Sequence, residues 1–144
     1  MLPKLTDAGR LPPGVHAADW QEFESRSAVP PRDVCGCWAA CGPSWNSLAP
    51  AGNCRVFVWG SFVTGKSAPR DLDILLIMSE DFEVDRLAAS AQAVFDSTRA
   101  KLLFQSDVFW ARVSIGDEVL NVWLDTYQTS RDFRKRGIVE LVLP

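Results

Sequence analysis

The sequence predicts an α/β (α+β) domain: a small mixed β-sheet of about four to five strands, with helices packed mainly on one face. Three observations predict it. Apolar runs of strand length fall at 55–59, 72–78 and 138–143, each next to turn residues or polar loops. The stretch 81–100 repeats its apolar residues at helical spacing. Residues 106–114 alternate, with Val108, Trp110 and Arg112 on one parity and Asp107, Phe109, Ala111 and Val113 on the other.

Composition sets the bounds. At 144 residues the chain has the size of a single domain able to bury a real core, with residues 1–16 as an extended lead-in. A hydrophobic content of 47% and a charged content of 23% are those of a globular protein rather than a disordered one. Net charge is −3 and no long basic run exists, which argues against nucleic-acid binding through the phosphate backbone. No apolar stretch reaches about 18 residues, so no transmembrane helix and no membrane partner are expected. Residues 1–10 lack the apolar core of a signal peptide, so a cytoplasmic protein is expected. Cys35, Cys37 and Cys41 cluster and Cys54 stands apart. Zinc would favour paired spacing and often histidine, and His16 is the single histidine, so free thiols are the expectation.

Taken in order, residues 1–16 are rich in Pro and Gly, and apolar Leu11 and Val15 suit a segment lying against the domain. His16 lies far from the acidic residues in sequence and fits a hydrogen-bonded structural role. A short helix over 19–27 places Trp20 and Phe23 on one face, and Pro30-Pro31 ends it. A second helix from Arg32 or Asp33 would gather Val34, Cys37, Trp38, Cys41, Trp45 and Leu48, weakened by Gly36, Gly42 and Pro43. Residues 50–53 form a turn. Ser79 is placed to cap a helix over 81–100, with Val84, Leu87, Ala88, Ala91, Val94 and Phe95 along one face. Gly116-Asp117 reads as a turn, and 119–125 as a strand returning on 106–114 to make a hairpin. Residues 127–137 form a polar loop and 138–143 a last strand. Arg131, Arg134, Lys135 and Arg136 gather in that loop, either as a solvated cluster or as a contact to a triphosphate or an acidic partner.

The chemistry concentrates between residues 55 and 78. An apolar strand ends in Gly60-Ser61, nine residues follow, and Asp71 and Asp73 open the next apolar run. Residues two apart on a strand share a face, so the two carboxylates project side by side while Leu72 turns to the core. Carboxylates this close repel unless a cation sits between them. Magnesium takes hard oxygen ligands, commonly one or two carboxylates plus substrate phosphates. Gly60 allows a phosphate close to the backbone, and Ser61 with the amides after it can donate to phosphate oxygens. A plain alternative is that both Asp residues cap a turn before a buried strand.

Two patterns overlap here. Residues 60–67 fit G-x-x-x-x-G-K-[ST], the P-loop pattern, after an apolar strand. A P-loop requires a helix from Lys66-Ser67, and Pro69 and the strand at Leu72 leave no room for one. The other pattern, Gly60-Ser61, nine residues, Asp71-Leu72-Asp73, resembles the signature of the polymerase-β-type nucleotidyltransferases, particularly their small minimal members. The resemblance extends to an uncharacterised bacterial branch through residues 11–16, residues 60–64 with Lys66 and Pro69, and residues 136–141.

That resemblance implies a nucleotidyltransferase-like fold and a two-metal magnesium site. Asp71, Asp73 and a third acid on a later strand would hold the metal. Asp107 is the expected third acid, and Asp125 is its competitor. Gly60 and Ser61 would grip the β- and γ-phosphates of a nucleoside triphosphate such as ATP, with Lys66 neutralising charge. A nucleoside monophosphate would pass to a hydroxyl acceptor: the resembling group modifies proteins, small drugs or RNA ends, and a partner protein such as a cognate toxin in a toxin–antitoxin pair is the preferred acceptor here, the low basic content disfavouring RNA. A binding module on the same fold without turnover is the second expectation.

Overall fold

The computed structural model describes residues 1–26, 45–65 and 71–143. The expected α+β class is what the chain adopts: among the described residues, five strands form one mixed sheet with helices on both sides, three of the four α-helices on one face. The strands are β1 (Gly14–Ala18), β2 (Cys54–Trp59), β3 (Leu72–Met78), β4 (Ser106–Arg112) and β5 (Gly137–Leu141). The α-helices are α1 (Trp20–Arg26), α2 (Ala89–Gln92), α3 (Ser97–Phe104) and α4 (Asp117–Tyr127). Spatial order is β1-β5-β2-β3-β4. The central trio β5, β2 and β3 is antiparallel, and each edge strand joins in parallel.

Strand alternation explains the two-sided core. Val56 and Val58 of β2, and Leu72, Ile74, Leu76 and Met78 of β3, enter the larger cluster with Phe23, Ala91, Val94, Ala100 and Phe104. The opposite parity, Phe57, Trp59, Leu75 and Ile77, packs against Leu120 and Leu124 of α4. A fully buried Leu, Ile or Phe contributes about 1.5–3 kcal/mol, so β3, with an apolar side chain buried at every position but Asp73, anchors the sheet.

Several expectations change. Residues 119–125 are helical, within α4, and the 106–114 strand ends at Arg112, so no hairpin forms there. Leu120 and Leu124, four apart, are buried while Val119 and Val122 are exposed, which is a helical stripe. Asp117 and Glu118 in the first turn suit the helix N-terminus. In place of a hairpin, β4 pairs in parallel with β3 after the helical crossover.

The continuous helix expected over 81–100 is broken. One 3₁₀ turn covers Val84–Arg86, Leu87 and Ala88 are extended, α2 and a second 3₁₀ turn follow, and Asp96 is extended again. Asp96 caps α3, accepting from the Arg99 amide at 2.9 Å, whereas no helix begins at residue 81 for Ser79 to cap. Leu87, Ala91 and Val94 still bury themselves, so the apolar spacing survives the breaks.

The lead-in does more than lie on the surface. Residues 14–18 form edge strand β1, and Leu2 and Leu11 are core residues, whereas Val15 is exposed. Asp19 accepts from the Glu22 amide at the start of α1, and the Trp20 and Phe23 rings lie 5.6 Å apart. The His16 ring bonds the Pro12 carbonyl through Nε2 at 2.7 Å, the structural role expected of it. Most of the helix expected from Arg32, and Cys35, Cys37 and Cys41 with it, fall outside the described residues. No helix among the described residues is long and apolar enough to cross a membrane.

Candidate functional site

Parallel pairing of β3 with β4 sets Asp73 directly beside Asp107. On its other side, antiparallel pairing sets Asp73 beside Trp59, the residue before Gly60. Asp71 stands just ahead of β3. Lys101, in the last turn of α3, joins the acids: its Nζ lies 3.1 Å from Asp71 Oδ1 and 2.9 Å from Asp107 Oδ2. The bond to Asp107 holds the Lys101 pKa above its ordinary value. The tight α3–β4 connection makes this possible, with Gln105 in the left-handed region at φ 47° and its carbonyl receiving the Leu72 amide.

Asp73 carries the strain of the cluster. Burial, then repulsion from Asp107 and Asp71, push its pKa up to about 6, and Lys101 and Arg136 act the other way. Gly60, at φ +84°, lies against the Asp73 carboxylate, and a Cβ there would collide with Asp73 Oδ2. Ser61 is the second residue of the short 3₁₀ turn Gly60–Val63, and its carbonyl accepts from the Thr64 amide and from Thr64 Oγ1.

The lead-in closes over this turn. Arg10 pairs with Thr64 across a β-bridge, and the Gly65 amide donates to the Gly9 carbonyl at 2.8 Å. Beside the acids sits an aromatic floor. Trp59 stacks on Tyr127 with centroids 3.8 Å apart, and Phe109 leans against Trp59 at 6.0 Å. Burial raises the Tyr127 phenol pKa.

Of the residues singled out from sequence, Asp71, Asp73, Asp107 and Gly60 come together. Asp125 does not: it sits on α4 and is engaged by Lys135 Nζ at 2.6 Å. Lys66 lies outside the described residues. β3 begins at Leu72, where a strand was expected to follow. Among the described residues no three His, Cys, Asp or Glu side chains are gathered as ligands around one point. Two carboxylates do meet on one cation, the Lys101 ammonium. A pair of hard oxygen donors beside a third carboxylate fits the way magnesium is held when phosphates complete its shell.

A family of unknown function, DUF6932, matches residues 3–142 of the 144. The chain belongs to that family. No curated protein and no solved structure matches it. The DUF6932 match takes in every residue of the cluster, from the lead-in across Gly60 and the acids to β5.

Sequence reasoning missed Lys101 and the inward course of Arg136. Lys101 sits in a segment read as following a helix that ended at residue 100, and only the α3–β4 turn brings it back to Asp107. Arg136 was one of four clustered basic residues, indistinguishable by composition. Its backbone amide donates to the Gln128 carbonyl at 2.7 Å and its side chain is half-buried near Asp73.

Proposed function

We propose that the chain is a magnesium-dependent nucleotidyltransferase that moves a nucleoside monophosphate from a nucleoside triphosphate to a hydroxyl on a partner protein. One observation carries the reading: Asp107 stands in register with Asp73 and shares the Lys101 ammonium with Asp71, so acids from two neighbouring strands cluster beside Gly60. The spacing of Gly60-Ser61 from Asp71 and Asp73, with its resemblance to the minimal nucleotidyltransferases, supports it.

In this reading Asp71, Asp73 and Asp107 hold magnesium, which supplies charge stabilisation to the phosphoryl group in transfer. The Gly60 and Ser61 backbone receives the β- and γ-phosphates, and the absence of a Cβ at residue 60 keeps the approach open. Asp107, half-exposed on edge strand β4, faces the acceptor and takes the proton of its hydroxyl. The acceptor oxygen bonds to the α-phosphorus as the bond to the bridging oxygen breaks, and pyrophosphate leaves. The net charge of −3 weighs against a nucleic-acid acceptor and leaves a protein hydroxyl as the better match.

A specific observation favours a second reading, a binding module without turnover. The Lys101 ammonium sits between Asp71 and Asp107, where a silent relative would keep a permanent counter-ion. The two readings separate on incubation with α-labelled nucleoside triphosphates, Mg²⁺ and proteins that co-purify with the chain. Label reaching a partner with wild type, and none with Asp73→Asn, supports the transferase. Tight partner binding with no label from any of the four nucleotides supports the silent module and overturns the transferase.

A further inference from the structure

We propose that Arg136 is an anion-binding residue of this site, the guanidinium that takes a phosphate of the nucleotide; the inference rests on the reading above and names the group that would hold the phosphate. The four basic residues of the loop before β5 have different surroundings. Arg131 is exposed, Arg134 Nε faces Asp132 at 3.7 Å, and Lys135 is held by Asp125. Arg136 alone turns inward and is half-buried.

Its position follows from the sheet. β5 pairs with β2 antiparallel, Val58 opposite Val139, so the residues just before β5 and just after β2 lie at one end. Gly60 and Ser61 are at that end, and Asp73 lies one strand further, beside Trp59. The guanidinium makes a single hydrogen bond among the described residues, from Nε to the Tyr127 carbonyl at 3.5 Å. Its terminal Nη groups have no protein partner there.

Neither charge nor packing accounts for that fork. No ion pair joins Arg136 to Asp73, although each feels the other's field. Burial disfavours its charge and Arg10 stands near enough to repel it, while the fields of Asp73 and Asp132 act the other way. Capping the last carbonyls of α4 would use one N–H at the limit of hydrogen-bond length and leave the planar fork idle. A half-buried cation and a half-buried carboxylate at one end of the sheet, within each other's field but not paired, are both satisfied by a group carrying both signs, a phosphate with its divalent cation. A guanidinium fork binds phosphate in two parallel bonds, which an ammonium cannot do.

The test is calorimetric titration of the full chain with inorganic triphosphate, with and without Mg²⁺. Wild type is expected to bind. Arg136→Gln is expected to weaken binding by about tenfold to a hundredfold, the loss of one charge-assisted contact. Arg136→Lys, which keeps charge and stem, should recover only part of it, and guards against a Gln variant that fails to fold. Equal affinity in folded wild type and Arg136→Gln overturns the proposal, as does a wild type that binds no triphosphate. Failure of the transferase reading looks different. Arg136-dependent triphosphate binding with no label transfer sinks the transferase and leaves the anion site standing. Label transfer with unchanged KM in Arg136→Gln does the reverse.

Discussion

Gly60 and the carboxylate of Asp73 touch so closely that no side chain fits at residue 60, and Gly60 holds φ +84°, a conformation that L side chains rarely adopt. Two costs therefore fall on Gly60→Ala: backbone strain and displacement of Asp73. We expect a loss of about 2–4 kcal/mol in urea unfolding. In an Asp73→Ala background the collision is gone and only backbone strain is left, so the same change should cost about 1–2 kcal/mol less. Equal costs in both backgrounds would show that the contact does not matter.

Asp73 predicts a pH slope in metal-free buffer. Its carboxyl is ordinarily near 3.8 and is pushed up to about 6 in the fold. Below about pH 4 folded and unfolded chains both hold the proton; between about 4 and 6 the folded chain alone does. The folded state then binds more protons, so this contribution to stability is present at low pH and lost as pH rises through 6. Asp73→Asn removes the slope. Because the carboxyl is only partly buried, the variant should gain about 1 kcal/mol over wild type at pH 7.5 and nothing at pH 4. Thermal melts at both pH values decide it; an Asn variant no more stable at pH 7.5 would refute the burial of that charge.

Lys101 Nζ lies between Asp71 and Asp107 with its side chain partly exposed, and in the proposed magnesium-dependent reading it would compete with the metal for those carboxylates. An exposed ion pair of this kind is worth at most about 1 kcal/mol, so it yields readily to a metal. Lys101→Met should therefore tighten Mn²⁺ binding, read by electron paramagnetic resonance, by about threefold to tenfold. Weaker Mn²⁺ binding in the variant would mean that Lys101 organises the acids rather than competing for them.

The helical assignment of 117–127 has its own signature in stability. Leu124 is buried against the sheet and Val122 is 64% exposed. Leu124→Ala should cost about 2–3 kcal/mol, whereas Val122→Thr should change stability by less than about 0.5 kcal/mol. On a strand both residues would share one face, and the two substitutions would both be costly if that face were buried.

Much of the site was legible in the residues because its information is local. Asp71 and Asp73 stand two apart at the start of an apolar run, a spacing that strand geometry sets on one face, and Gly60-Ser61 ends an apolar strand that any alternation rule finds. The apolar face over 81–100 was also legible, since core burial demands that spacing whether or not the backbone is one continuous helix. The choice between Asp107 and Asp125 was not legible. Both stood in segments with strand-like alternation, and only the parallel pairing of β4 on β3 put Asp107 beside Asp73 while α4 carried Asp125 off to Lys135.

By itself the sequence determined the α+β class, the strands at the centre of the sheet, and an acidic pair next to a glycine bend, because each depends on side-chain period and turn chemistry within a few residues. The tertiary structure alone decided that 119–125 is a helix, that Asp107 stands beside Asp73, that Lys101 stands among the acids, and that Arg136 turns inward. Those outcomes depend on which strand lies beside which, and register between distant segments is fixed by packing the whole core, a property no short window of residues contains.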